Sequence, residues 1–465
     1  PEHSSGYRGG GNHQRPHQSG RAGSGRDSEK PFLYLWRRFG EGNIIKRRER
    51  IVCMVKVAVL GHGTVGSGVV ELLTKNHKSI TDRAGQEIEV KYILDIRDFP
   101  DTPYHDKFTK DFQVILEDPE ISIVAEVMGG LSPAFEFVRS LLEHGKSVVT
   151  SNKELVAAKG AQLLQTAKAH NVNFFFEASV GGGIPIIRPM HQCLAANEIS
   201  EVAGILNGTT NYILTKMIEE QMPFDEALRQ AQELGYAERD PSADVDGHDA
   251  CRKICILASL AFGHHVYPHT VHTEGISGLD LNDVAYADSW GGVIKLIGRA
   301  KKLADGKMVA TVFPAILEKH SQLANINDVF NGILIRGDAT GDVVFYGRGA
   351  GKFPTASAVV ADIIDIAKAS CTSKSLSWDD SPENHMADYK TAPLRFYIRL
   401  SASQAAEARQ EIDRLFGEVE YLARSRQPED ELALVTGEMT EYQLEEKLSQ
   451  LKSGTLRSMI RVLDY

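Results

Sequence analysis

A carbonyl reduced by hydride becomes an alkoxide that needs a proton, and a lysine held by a carboxylate can supply it. Such a pair lies in the acidic stretch 231–253, where Asp246, Asp249 and Lys253 stand at i, i+3 and i+7. On a helix all three share one face, with Asp249 one turn from the Lys253 ammonium. A solvated ion pair has the same spacing, so the pair gains meaning only beside a hydride source. Upstream, Gly61-His62-Gly63-Thr64-Val65-Gly66 follows an apolar run and opens a helical pattern. In that context Gly61 permits the tight turn, Gly63 lets the backbone approach a pyrophosphate, and Gly66 allows close helix packing, while the helix N-terminus offers free N–H groups to the anion. A bound dinucleotide is expected, with His62, Thr64 and Val65 in the same turn. Asp95, Arg97 and Asp98 follow the second apolar run. Asp95 could take a ribose hydroxyl, as NAD requires, whereas Arg97 could pair with the 2′-phosphate of NADP or be a solvated surface arginine; NADP is the favoured expectation.

The elements that must position these groups are written in the periodicity. Residues 55–60, 90–95, 121–127 and 147–150 read as short strands between helical stretches, the βαβ pattern of a Rossmann-type, doubly wound parallel sheet. This α/β nucleotide domain is expected over 54–185, completed by 345–371, in which 355–368 reads as a returning helix. An α+β region, 186–344, with a long helix near 249–261, is expected to bind substrate and to dimerise. The polar stretch 372–393, with two prolines, has the composition of a linker. Residues 394–465 read strand, helix, strand, strand, helix, strand, a βαββαβ unit of ferredoxin-like type.

Residues 1–53 are rich in Gly, Arg, Ser and His, lack apolar periodicity and begin with Pro1, and so read as a disordered or artefactual leader ahead of a start at Met54. A transit peptide is the rival reading, set against Asp27, Glu29, Glu41 and Glu49. The formal charge of −10 argues against nucleic acid as a partner. No run reaches the ~18–20 apolar residues of a membrane span. Cys53, Cys193, Cys251, Cys255 and Cys371 form no CxxC pair, which suits a reducing cytoplasm and offers neither a disulfide framework nor a zinc site. His264, His265, His269 and His272 have only Glu274 nearby as a further ligand type, and a metal is not expected there.

Across its whole length 231–253 matches AxxxGYxExDPxxDxxGxDxxxK and resembles the signature of the homoserine dehydrogenase family. Four further stretches resemble the family: Val149 to Lys153, Glu177 to Pro185, Gly204 to Tyr212, and Gly349-Ala350-Gly351 followed by Thr355-Ala356-Ser357. The likeness runs from Met54 to Tyr465. It implies NAD(P)-dependent interconversion of L-aspartate 4-semialdehyde and L-homoserine, in the branch leading to threonine, methionine and isoleucine. Lys253 would be the proton donor supported by Asp249. Glu238 and Asp244 would bind the amino and hydroxyl groups of homoserine, with Asn207 and Thr209 beside them, while Lys153 and Gly349 would meet the nucleotide. Glu177, Val180, Gly182 and Ile184 would surround a sodium ion, largely through backbone carbonyls; a glycine-rich turn has the same sequence. The 394–465 unit resembles the ACT domain, which implies a threonine effector and, through pairing of such units, a homodimer or homotetramer. With no aspartate kinase region upstream, a monofunctional enzyme is expected. The rival readings are a reductase of another amino-acid semialdehyde and a non-catalytic amino-acid sensor.

Overall fold

The computed structural model describes residues 54–368, 376–381 and 383–465. The expected leader 1–53, with Cys53, and Cys371 lie outside them. The first sheet is wholly parallel, in the spatial order Phe108–Thr109, Glu87–Leu94, Met54–Leu60, Ile121–Glu126, Ser147–Thr150, Phe174–Phe175. The order reverses between the third and fourth of these, and the crevice at their carboxyl ends is where such sheets take ligands. Helices Thr64–Lys75 and Lys153–Ala169 each leave a strand end in this sheet. Burial on both faces explains the unbroken apolar run: Val57, Ala58, Val59 and Leu60 are all sealed from solvent. The helix Lys352–Lys368 returns to this unit and packs on Thr64–Lys75, where a Cβ at Gly68 would stand 3.0 Å from the Ala356 side chain. The last strand of this sheet is short, Phe174–Phe175, and a 3₁₀ turn at Glu177–Ser179 follows it.

The second sheet begins as an antiparallel set: Gly341–Arg348, Phe330–Gly337, Ile199–Ile205, Gly292–Lys302 and Met308–Glu318. Helices Gly208–Glu219, His248–Phe262 and Leu281–Ser289 pack against it. It then continues into the C-terminal residues. Ala315, Ile316 and Leu317 pair in parallel with Arg461, Val462 and Leu463, and beyond them lie Arg395–Ser401, Glu431–Thr436 and Val419–Leu422. With helices Ala405–Phe416 and Glu441–Gln450, the chain from Arg395 is a βαββαβ unit whose strands lie in the order fourth, first, third, second.

Alternation in Arg395–Ser401 sorts the two faces of that unit. Phe396, Ile398 and Leu400 join Ile412 and Leu444 in a core under its own helices. Tyr397 and Arg399 face the other way. The Arg399 guanidinium meets Asp283 at 2.8 Å, Asp280 at 2.6 Å and Glu431 at 3.3 Å, and the Tyr397 hydroxyl donates to Asp283 at 3.0 Å. Nearby, the Tyr286 hydroxyl and the Trp290 indole donate to Glu431 and Glu420, both at 2.9 Å. A second copy had been the expected cover for an open face of this unit. Here the Leu281–Ser289 helix of the same chain covers it, so this face gives no argument for pairing with another copy. Nor are the described residues between 376 and 393 a free tether. Leu376 and Trp378 are buried, and the Trp378 indole lies 5.4 Å from the Phe176 ring, edge to face. Its N–H donates to His265 Nδ1 at 2.8 Å, while His265 Nε2 meets the Ala157 carbonyl at 3.0 Å. Two apolar residues within a polar stretch are enough to dock it.

Candidate active site

The glycine turn sits at the carboxyl end of Met54–Leu60. Gly61 adopts φ +97°, and its N–H donates to the Leu94 carbonyl at 2.8 Å. A Cβ on Gly66 would fall 1.9 Å from the Gly61 carbonyl oxygen, whereas one on Gly63 would meet nothing within 4 Å. The first turn of Thr64–Lys75 has no side-chain cap, so its N–H groups face that open space. Thr64 is exposed and Val65 half-buried at its start. His62 is buried edge-on to Phe99 and Phe108, and its Nδ1 lacks a partner among the described residues. Burial pushes its pKa down. A cleft of about 410 Å³ opens beside the turn, lined by Gly61, Gly63, Asp95, Arg97, Met128 and Pro133 among others. The open cradle, the uncapped helix and the orphaned imidazole nitrogen fit a dinucleotide.

Asp95 and Arg97 form a fork. Arg97 Nε donates to Asp95 Oδ1 at 3.0 Å and Nη2 to Oδ2 at 2.9 Å, and the backbone N–H groups of Arg97 and His62 take the remaining capacity of the carboxylate. The guanidinium holds the Asp95 carboxyl well below the ordinary range. Arg97 itself is exposed at the mouth of the cleft.

Lys253 and Asp249 lie one turn apart on His248–Phe262, both buried. Lys253 Nζ donates to Asp249 Oδ2 and to the Leu206 carbonyl, each at 2.7 Å, which leaves one of its three N–H bonds. Asp249 Oδ2 also accepts from Asn207 Nδ2 at 2.8 Å, and Lys153 Nζ approaches Oδ1 to 2.7 Å, an ion pair without good hydrogen-bond alignment. Asn207 caps Gly208–Glu219 through Oδ1, and its Nδ2 bridges Asp249 and Asp244, the latter at 2.7 Å. Two domains are tied here, because Lys153 opens the helix after Ser147–Thr150 of the parallel sheet while Lys253 belongs to the second. Burial raises the Asp249 pKa, but the Lys253 and Lys153 ammoniums together outweigh it and keep the carboxyl strongly acidic. Burial lowers Lys253 below the ordinary lysine value, only partly offset by Asp249. Burial, then the Asp249 charge, pushes Asp244 up.

The other expected residues are placed less uniformly. Glu238 is exposed, and its carboxylate has no partner among the described residues. Thr209 Oγ1 donates to the Tyr236 carbonyl at 2.7 Å and so fixes the loop that carries Glu238. Gly349 is packed, not open: a Cβ there would fall 2.1 Å from Asn331 Nδ2, and one on Gly182 would fall 2.3 Å from the Gly349 carbonyl. Glu177, Val180, Gly182 and Ile184 share one buried loop region, but the Glu177 carboxylate is spent on the backbone N–H groups of Ile186, Ile187 and Arg188. Backbone carbonyls are what remains there for a cation, and no cluster of three or more His, Cys, Asp or Glu suited to a metal occurs among the described residues. Asp246, half-buried, is not part of the Lys253 cluster.

Two participants went unread in the sequence. Glu126, sealed at the end of its strand, accepts from Met128 N–H at 2.8 Å and Thr150 Oγ1 at 2.6 Å, which shapes both crossovers beside the cleft. Its only signal was a carboxylate ending an otherwise apolar strand. The Leu206 carbonyl that receives Lys253 left no signal, since every residue has one.

The chain matches the family models described as "Homoserine dehydrogenase, NAD binding domain" over residues 61–177 and "Homoserine dehydrogenase" over 185–364. It is 47% identical over 329 residues to a homoserine dehydrogenase of Synechocystis, an alignment covering 67% of this chain and 73% of that one. With the homoserine dehydrogenase of Pseudomonas aeruginosa the identity is 37% over 88% of this chain and 98% of the relative. A crystal structure of a homoserine dehydrogenase from Thiobacillus denitrificans superposes with a TM-score of 0.81 at 34% identity, covering 89% of this chain and 99% of that one.

Proposed function

Since the chain belongs to the homoserine dehydrogenase family, NAD(P)-dependent oxidoreductases that interconvert L-aspartate 4-semialdehyde and L-homoserine, we propose that Lys253 is the proton donor of that reaction. A dinucleotide held at the Gly61–Gly66 turn would supply the hydride that reduces the aldehyde carbon. Lys253 then gives its uncommitted proton to the alkoxide oxygen, and in the reverse direction it takes that proton from the homoserine hydroxyl. Asp249 and the Leu206 carbonyl aim the ammonium, and Lys153 completes the charge balance at Asp249. Asp244 accepts from the substrate hydroxyl, and the unpaired Glu238 carboxylate takes the substrate ammonium. The observation that carries this reading is the buried Lys253–Asp249 pair with one donor left over.

NADP is the cofactor we assign. Both Asp95 oxygens are committed to protein N–H donors, which leaves little for a ribose 2′-hydroxyl, while Arg97 stands at the mouth of the cleft for a 2′-phosphate. Absorbance at the reduced-nicotinamide band with homoserine tests both assignments. Wild type should turn over faster with NADP than with NAD, and Lys253→Ala should lose roughly 10²–10⁴-fold in kcat with cofactor affinity unchanged. A variant keeping half its kcat would end the proton-donor assignment.

The βαββαβ unit is proposed as an ACT-type regulatory domain with threonine as its ligand, on its strand order and its place beside the catalytic sheet. Inhibition of the full-length enzyme by millimolar threonine is the expected result; indifference to it would leave the unit a structural role.

A further inference from the structure

Arg461 is the last but four of the chain and almost fully buried. Its Nη1 donates to Glu274 Oε2 at 2.9 Å, and its Nη2 and Nε donate to Glu441 Oε2 at 2.8 and 3.1 Å. The guanidinium lies 4.6 Å from the centre of the Phe313 ring. Glu441 belongs to the C-terminal unit, Glu274 to the catalytic domain. Glu274 is held twice more: its N–H donates to the Val312 carbonyl at 2.7 Å, and His272 Nε2 meets Oε1 at 2.5 Å.

The backbone after Glu274 is wedged against the turn that carries the site. Ile276 N–H donates to the Val245 carbonyl at 2.9 Å. A Cβ on Gly275 would fall 2.2 Å from the Val245 oxygen and 2.6 Å from Asp246 Cα. Gly247, at φ +82°, would bring a Cβ 3.1 Å from the Glu274 carbonyl oxygen. This turn separates Asp244 from Asp249, so its position sets how those two carboxylates stand to one another and to Asn207. Contact between backbones this close transmits displacement without slack.

We infer that Glu274, clamped by Arg461 of the C-terminal unit, is a positioning residue for the Asp244–Asp249 segment, so that docking of the unit tunes substrate binding and spares cofactor binding. The inference rests on the reading of Asp244 and Asp249 as substrate-side groups. It gives the C-terminal unit a physical line to the site that does not depend on which ligand the unit takes.

Glu274→Ala tests it, because Glu274 is partly exposed and Arg461 keeps Glu441. Arg461→Lys is the second variant, keeping the charge but losing the two-sided fork. In both, amide hydrogen exchange over 244–249 should speed up and the KM for homoserine should rise roughly 2–30-fold, with the KM for NADP unchanged. Unchanged exchange over 244–249 in folded variants would overturn the inference and leave the substrate site standing. Faster exchange with an unmoved homoserine KM would instead remove the substrate role of the segment on which the inference rests. A parallel rise of both KM values would mark general loosening and overturn it as well.

Discussion

The proton transfer proposed for Lys253 depends on how firmly the buried ammonium holds its proton. Buried beside Asp249, it holds its proton less firmly than a solvated lysine does, and the carboxylate limits how far that goes. With Lys253 in the proposed proton-transfer role, homoserine oxidation would need the neutral amine, so its rate should rise with pH through an apparent pKa below the ordinary lysine value of 10.5 and level off above it. Aldehyde reduction needs the ammonium and should fall through the same pKa. Asp249→Asn removes the charge that raises the lysine, so the midpoint should move to lower pH; a pH–rate profile of the variant that stays in place would refute the coupling. The i, i+3, i+7 spacing of Asp246, Asp249 and Lys253 predicted one shared face, and the structure uses only Asp249 and Lys253 from it. Asp246 is turned out of the cluster because Gly247 breaks the spacing with a left-handed residue ahead of the helix. Asn207 and Lys153 join from sequence distances of 42 and 96 residues, arrangements that local periodicity does not encode.

At the scale of elements, the three glycines of the nucleotide turn divide their labour in a way that substitution can separate. Gly66→Ala drives a methyl against the Gly61 carbonyl and should cost about 1–3 kcal/mol of stability, visible as a lowered Tm. Gly63→Val meets no protein atom within 4 Å, so Tm should hold while the cofactor Kd rises about tenfold or more. If both variants lost stability alike, the space at Gly63 would not be reserved for a ligand. The parallel sheet was legible because its buried strands are continuous apolar runs bounded by turns. The long hairpin Gly292–Lys302 and Met308–Glu318 was not: residues from Met308 to Leu317 are buried on both faces, which erases the alternation that marks a half-exposed strand.

For the whole molecule, the boundary near residue 394 marks a change of topology but not a gap in packing. Arg399 and Arg461 both reach carboxylates of the catalytic domain, and at the fully buried Arg399–Asp283 pair removing one side leaves the other charge uncompensated, at a cost of roughly 3–5 kcal/mol. A chain ended before Arg395 would expose Asp283 and Tyr286 and should be unstable rather than merely unregulated. The intact protein should therefore unfold with the C-terminal unit and the catalytic domain in one calorimetric transition; two separated transitions would show the unit to be independent. The βαββαβ order could be read from 394–465 alone, but its docking could not, because Arg399 and Tyr397 look like solvent-facing residues until Asp283 is set opposite them. The same docking leaves the protein with its own optical labels. Of three tryptophans, Trp36 lies outside the described residues, Trp290 bonds Glu420 across the seam with the C-terminal unit, and Trp378 bonds His265 beside the nucleotide domain. Trp290→Phe and Trp378→Phe would silence one seam at a time, so a change in emission on adding cofactor, or threonine as the proposed effector, would be assignable to one seam without any attached dye.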